Sequence, residues 1–399
     1  MSGSIVTRWR VLSGETKWEG LLDPLDIDLR RYIIHYGERV QAILDAFVSE
    51  MKCWNFGLPR HTKRDLFSEV GLAKGNPYKY VIEKYIYASA AFMPEEVLAK
   101  EPKGGAENSK WIGFVAVTTD EGKEVLGRRD ILISWRGTIG KVETEIGRKF
   151  DLFPASEILG KENDPKVHEG WFKYYTCSDP SSTYNGTSSR DQVLAAVREL
   201  VNRYKDEEIS ISVTGHSMGA VIATLNATDI VYNGYNKTCP VTAIVFASPR
   251  VGNKGFRNVF SALNNLNVLQ VINDHDWIPK LPPSSILGYD DEHVGQELII
   301  DTTKSEYLKV PKETTLHELE VYLHGVAGTQ GKDGDFKLEV ARDLALLNKT
   351  IDGLNDKILC HVFPKWWTEK IRKKMCVVQL DDGSRVLMDG EIDEDDDVP

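Results

Sequence analysis

Between residues 26 and 47 the apolar positions Leu29, Ile33, Tyr36, Val40, Ile43, Leu44 and Phe47 step by threes and fours. That spacing predicts an amphipathic helix following the turn-like "DPLD". The first hundred residues read as mainly helical and irregular, with "EKYIYASA" fitting either a short strand or more of the helical region. "EPKGGAENSK" is polar and glycine-rich, a surface loop and the best boundary between this segment and the next. After it the period changes. "WIGFVAVTTD", "DILISWRGT", "EISISVTG", "TAIVFASPR" and "LNVLQVIND" read as short apolar strands, and "DQVLAAVRELVNRY" and "KGFRNVFSALNN" among them read as helices. Such alternation predicts an α/β fold, a mostly parallel sheet covered by helices on both faces. Residues 337–354, "KLEVARDLALLNKTIDGL", read as a further helical stretch, and 301–311 as an added edge strand. The expected organisation is a helical segment 1–105 packed on a core 106–388, with an acidic, disordered tail 389–399.

One strand-to-helix corner carries chemistry. Ile209, Ile211 and Val213 alternate with Ser210, Ser212 and Thr214, the pattern of a half-buried strand. From Met218 onward Ala220, Ala223, Ala227 and Ile230 fall at helical spacing. Ser217 stands at the corner, between Gly215 and Gly219, where flanking side chains would crowd a tight turn. G-x-S-x-G at such a corner is a nucleophile elbow: it exposes the hydroxyl to a base and to substrate, beside the N-terminus of a helix. A serine nucleophile needs a base and an acid, which in this architecture follow it in the order acid, then histidine. "LQVINDHDWIPKLP" offers Asp274 and Asp276 where a strand opens into a loop, and "TTLHELEVYLHG" offers His317 and His324. His317 is favoured by its place at a loop-to-helix start, which does not eliminate His324. Two oxyanion donors are also required. Met218 supplies one backbone N–H, and Thr138, in the loop after "LISWRG", the other. Arg136 beside it reads as a structural arginine.

Composition narrows the partners. A formal charge of −11 argues against nucleic acid, whose binding draws on clustered Lys and Arg. The five cysteines are scattered without zinc spacing and read as free thiols. No metal site is indicated elsewhere, and no cofactor is called for. The N-terminal stretch has neither the apolar run of a signal peptide nor the composition of a transit peptide, so a cytoplasmic location is expected. The sequons at Asn185, Asn226, Asn236 and Asn348 read as chance matches.

Taken in order, "ISWRGT", "VHEGWFKYYT", "GHSMGA", "ASPRVGN", "DHDWIPKLP" and "HELEVYLHG" resemble the class 3 lipases. "WEGLLDPLDIDLRRYIIHYGE" and "LLNKTIDGLNDK" are similar to the plant phospholipase A1 group, among its members without a transit peptide. The resemblance implies an α/β-hydrolase fold with Ser217 as nucleophile, Asp276 as orienting acid, His317 as base, and Thr138 and Met218 as the oxyanion hole. It also implies calcium-independent cleavage of the sn-1 acyl ester of a glycerophospholipid through an acyl-enzyme. A monoacylglycerol, triacylglycerol or galactolipid lipase would use the same residues, and a non-catalytic lipase-like scaffold would be expected to have lost one of them. Substrate is thus a phospholipid or another acyl lipid, met at a membrane surface in passing. "DLFPASEILG" and the N-terminal helical region are the candidate contact segments, zwitterionic lipid the preferred surface, and the oligomeric state is not specified by the sequence.

Overall fold

The computed structural model describes residues 3–102, 108–284, 288–309, 315–349, 351, 353–355, 375–379 and 385–389. Strands β1 (Tyr80–Ser89), β2 (Ser109–Thr118), β3 (Arg129–Trp135), β6 (Ile209–His216), β7 (Val241–Phe246), β8 (Leu266–Asn273) and β9 (Gln296–Ile300) form one seven-stranded sheet in that order. β1, β2 and β3 pair antiparallel, and every pairing from β3 to β9 is parallel. β4 (Leu152–Pro154) with β5 (Lys166–His168), and β10 (Met375–Gln379) with β11 (Arg385–Asp389), are small separate pairs. The fold is therefore α/β with a mostly parallel sheet. The undecided "EKYIYASA" is the greater part of β1, so the segment before residue 105 contributes a strand to the sheet as well as helices.

The helices are α1 (Gly3–Leu12), α2 (Ile27–Ala46), α3 (Leu66–Glu69), α4 (Glu95–Leu98), α5 (Asp120–Leu126), α6 (Lys141–Gly147), α7 (Ser156–Leu159), α8 (Glu169–Thr176), α9 (Ser189–Arg203), α10 (Met218–Tyr232), α11 (Lys254–Ser261) and α12 (Leu319–Gly328). Each face of the sheet has its own core. On one, α8 to α11 pack through Trp171, Tyr175, Val197, Ala223, Ala227 and Phe256. On the other, α2 and α12 pack through Leu29, Ile33, Tyr36, Val40, Leu319 and Leu323 against Phe114, Leu132, Ile244 and Leu269. α2 starts where the apolar period predicts it: the Asp26 carboxylate caps it by accepting from the N–H groups of Asp28 and Leu29. Its Arg30 donates to the carbonyls of Val326 and Thr329, tying α2 to the last turn of α12.

Three sequence expectations fail for identifiable reasons. β6 is not half-buried: all eight of its residues are buried. Its polar face lies under α2, where Ser210 and Ser212 each donate to Asp130 at 2.7 Å. Asp130 also accepts from Tyr36 (3.0 Å) and Tyr80 (2.6 Å) and faces Arg128 at 3.5 Å. A polar stripe can be buried when every group in it finds a partner. The described residues within 337–354 do not form the expected helix. Residues 337–343 have no regular structure and 344–348 make a 3-10 turn, because Ala345, Leu346 and Leu347 reach the small cluster around Val321 and Leu354 from that turn. The edge strand is β9 at 296–300, and of the expected 301–311 the described residues 301–309 form no strand. There the Asp301 side chain accepts from Thr303 N–H and turns the chain into a short 3-10 helix at 302–304, and Leu308 only bridges Leu354. Of the expected tail, all but Asp389 lies outside the described residues.

The Asp130 cluster is expected to dominate stability at the end of the sheet away from residue 217. Replacing Asp130 with alanine leaves Arg128 buried without its carboxylate and removes the acceptor of four hydroxyls. It should cost about 3–5 kcal/mol, read as a lowered midpoint in urea unfolding. Asn185, Asn226, Asn236 and Asn348 are all buried, so no glycan fits those sequons in the folded chain. Cys53, Cys177 and Cys239 are free thiols, and Cys360 lies outside the described residues. No helix among the described residues is long and apolar enough to cross a membrane.

Candidate active site

β3, β6, β7 and β8 run parallel, so the loops leaving their C-terminal ends gather at one end of the sheet, where open α/β sheets carry their sites. Ser217 follows β6 with φ 56° and ψ −124°, a left-handed conformation that costs a non-glycine residue about 1–3 kcal/mol. Two close approaches hold the corner. A Cβ on Gly215 would lie 2.2 Å from Gly219 O, and one on Gly219 would lie 2.3 Å from Arg136 O. β6 and α10 can turn against each other, and against the end of β3, only with glycine at both positions. Half-buried Ser217 is the N-cap residue of α10, but its hydroxyl makes no capping bond to that helix.

The other two sequence candidates arrive from separate loops. Asp276 follows β8, and His317 sits in the turn that leads into α12 rather than within that helix. His317 Nε2 lies 2.9 Å from Ser217 Oγ, and His317 Nδ1 lies 2.7 Å from Asp276 Oδ2. With Nδ1–H donating to the carboxylate, Nε2 is left to accept the serine proton. His324 is elsewhere: it is buried against Phe336 with its Nε2 2.7 Å from Ser305 Oγ. Asp274 is exposed, its N–H donating to Ile300 O at the end of β9.

Sequence reasoning missed the groups that aim these three. Tyr322 donates to Asp276 Oδ2 at 2.7 Å, and Ile278 N–H to Oδ1 at 3.0 Å. Burial pushes the Asp276 carboxyl up, but hydrogen bonds from His317, Tyr322 and Ile278 outweigh it and hold it below the usual carboxylate range. Burial, then the Asp276 charge, raises the Tyr322 phenol well above its ordinary value, so it stays a donor. The chain carrying His317 is pinned at two carbonyls. Asn273 Nδ2 donates to Leu316 O at 3.1 Å, and His216 Nε2 donates to His317 O at 2.8 Å. Asn273 also accepts Asp276 N–H at its own carbonyl, so one residue couples both loops. The nearest signal for Tyr322 was its place five residues after His317 in an apolar helix, where an aromatic reads equally well as core.

The loop after β3 lies against the elbow. A Cβ on Gly137 would sit 3.4 Å from Ser217 Cβ, and exposed Thr138 follows directly. Arg136 and Glu143 brace this loop through a buried bidentate pair at 2.7 and 2.8 Å. Glu143 also accepts Ile139 N–H (2.6 Å) and Tyr174 O–H (2.8 Å). Burial pushes Glu143 up, but Arg136 and Lys110 bring it down to about 2, so it stays ionised. Thr138 and Met218 both border a cleft of about 700 Å³ with Ser217 and His317. Leu44, Phe150, Trp171, Ile278 and Leu281 make much of its wall, which suits an apolar chain. No group of three or more His, Cys, Asp or Glu among the described residues is placed to hold a metal ion.

Buried histidines give the fold an acid limit. His168, His216 and His324 are each brought down to about 3, first by burial and, for His216, next by the charge of His317, for His324 by that of Arg342. Below pH 6.5 the unfolded chain binds protons at these rings and the folded chain does not, so stability is full above pH 6.5 and is lost as pH falls toward 3. Each should withdraw about 1 kcal/mol by pH 5.5. Urea midpoints at pH 7.5 and 5.5 should show the fall, and His324→Asn should make it smaller without abolishing it.

Residues 132–286 match the family model described as Lipase (class 3). Over 98% of its length the chain is 47% identical to phospholipase A1-IIgamma of Arabidopsis thaliana, covering 94% of that protein. It is 48% identical to phospholipase A1-II 1 of Oryza sativa subsp. indica, covering 98% of each. Among solved structures it is similar to a triacylglycerol lipase from Penicillium expansum, at 15% identity and a TM-score of 0.43, over 68% of this chain and 81% of that one.

Proposed function

Since the chain belongs to the class 3 lipase family and, within it, to the plant phospholipase A1 group, we propose that it cleaves the sn-1 acyl ester of glycerophospholipids by way of an acyl-enzyme on Ser217. The observation that carries this reading is the hydrogen-bonded chain from Ser217 through His317 to Asp276 at the wall of an apolar cleft. His317 takes the Ser217 proton as the hydroxyl attacks the ester carbonyl. Asp276 holds the ring in the tautomer that can do so and stabilises the imidazolium that forms. The backbone N–H groups of Thr138 and Met218 receive the oxyanion. The lysophospholipid oxygen leaves with the proton from His317, and water activated by the same ring releases the fatty acid. Each proton taken is returned, so no cofactor enters.

The test is mass spectrometry of the products from phosphatidylcholine labelled differently in its two acyl chains. Labelled sn-1 fatty acid with 2-acyl lysophosphatidylcholine is the expected outcome. Release from sn-2, or turnover only of mono- or triacylglycerols or galactolipids, would overturn the reading.

A further inference from the structure

The lipid contact segments expected from the sequence differ in how much apolar surface they leave exposed. In "DLFPASEILG" Ala155, Ile158 and Leu159 are buried in the core. In α2 most apolar side chains face the sheet, with Ile27 exposed and Leu44 at the cleft. Within the N-terminal region, exposed aromatic surface lies on a loop used by none of the chemistry above. Residues 48–58 leave α2 and return on themselves, closed by Val48 N–H to Leu58 O and Gly57 N–H to Val48 O, both 3.0 Å.

The loop stands at the catalytic end of the sheet. Trp111 N–H donates to Gly57 O at 2.8 Å, and β2 pairs Gly113 with Trp135, so Trp111 lies past the end of β3, level with the loop that carries Thr138. The Arg136 guanidinium sits 4.4 Å over the Phe47 ring, and Leu44, one turn earlier, borders the cleft. Buried Phe56 anchors the loop, whereas Trp54 is 76% exposed and Met51 48%. At the same end, after β8, Trp277 is 48% exposed at the cleft. A single exposed hydrophobe needs no explanation, but three at the end where the cleft opens form a pattern. Residues 48–65 also hold Lys52, Arg60, Lys63 and Arg64 against Glu50 and Asp65, a local cationic excess in a chain of formal charge −11.

We propose that this end docks on the headgroup layer of a phospholipid surface, with Trp54 and Met51 entering the interface and the neighbouring lysines and arginines meeting lipid phosphates. The proposal rests on the lipid-hydrolase reading above. An indole is apolar in body and polar at one edge, which suits the boundary between headgroups and acyl chains. The cleft mouth would then face the layer from which an acyl chain must be drawn, while the net negative charge of the rest of the molecule keeps the opposite end away from anionic lipid.

The test uses the full chain and phosphatidylcholine vesicles. The Ser217→Ala protein should sediment with them, and adding Met51→Ser and Trp54→Ala should weaken its partition at least tenfold. With Ser217 intact, the same pair should cut hydrolysis of vesicular lipid about tenfold, while the rate on a dissolved p-nitrophenyl butyrate stays unchanged. Unchanged partition, an equal loss on the dissolved ester, or no vesicle binding by the parent protein would overturn the proposal. Binding that depends on Trp54 in a protein that cleaves no phospholipid would instead sink the proposed activity and leave the docking surface standing.

Discussion

Ser217→Ala is expected to lower turnover of phosphatidylcholine by about 10⁴ to 10⁶-fold while the folded protein persists. The hydroxyl makes one side-chain hydrogen bond, to His317, so its loss leaves no buried group unpaired. The methyl group fits where the Cβ already stands, and the φ of 56° is as strained for alanine as for serine. Ser217→Gly should inactivate equally yet be more stable than Ser217→Ala by about 1 kcal/mol or more, because glycine relieves that strain. The pair separates chemistry from folding: both should lose labelling by a fluorophosphonate probe, and only their urea midpoints should differ. Activity within tenfold of the parent in either variant would remove Ser217 from the mechanism.

Asp276→Asn should lower kcat by about 10⁴ with KM little changed. One carboxylate oxygen accepts from both His317 and Tyr322, and the other from Ile278 N–H. An amide has a single acceptor oxygen. If that oxygen stays with Ile278, its NH₂ confronts two donors, and the His317 ring settles with its proton on Nε2, pointing at the serine it should deprotonate. If the oxygen turns to His317 instead, the NH₂ opposes the Ile278 N–H and the loop must shift. Steady-state kinetics on a dissolved ester reads the loss without vesicle binding. A large rise in KM at constant kcat would show that Asp276 serves substrate binding instead.

The sequence made the corner at Ser217 legible because its determinants are local: two glycines, a change of period and small residues in the following helix. The loops bearing Asp276 and His317 were visible as segments, whereas the choice of His317 over His324 needed either the family pattern or the structure. What stayed hidden was settled at long range. Ser210 and Ser212 look like a solvent-facing stripe until Asp130 arrives from the neighbouring strand, and Tyr322 looks like core until Asp276 meets it. Residues 337–354 have helical spacing, yet contacts with Val321 outweigh it. Alternation in "EKYIYASA" is interrupted because β1 bulges against β2 between Ile82 and Lys84 and between Ile86 and Tyr87, which blurs the period of two.

α2 covers much of one face of the sheet together with α12, yet it lies near the beginning of the chain, and the surfaces it packs on include β6, β7 and α12 as well as the earlier β2 and β3. During synthesis that helix leaves the ribosome long before β6, β7 and α12 exist. At ordinary elongation rates its apolar side waits roughly ten seconds or more. Nascent chains of this protein are therefore natural clients for chaperones that shield hydrophobic surface, and fragments ending before residue 241 should aggregate instead of folding as a smaller unit.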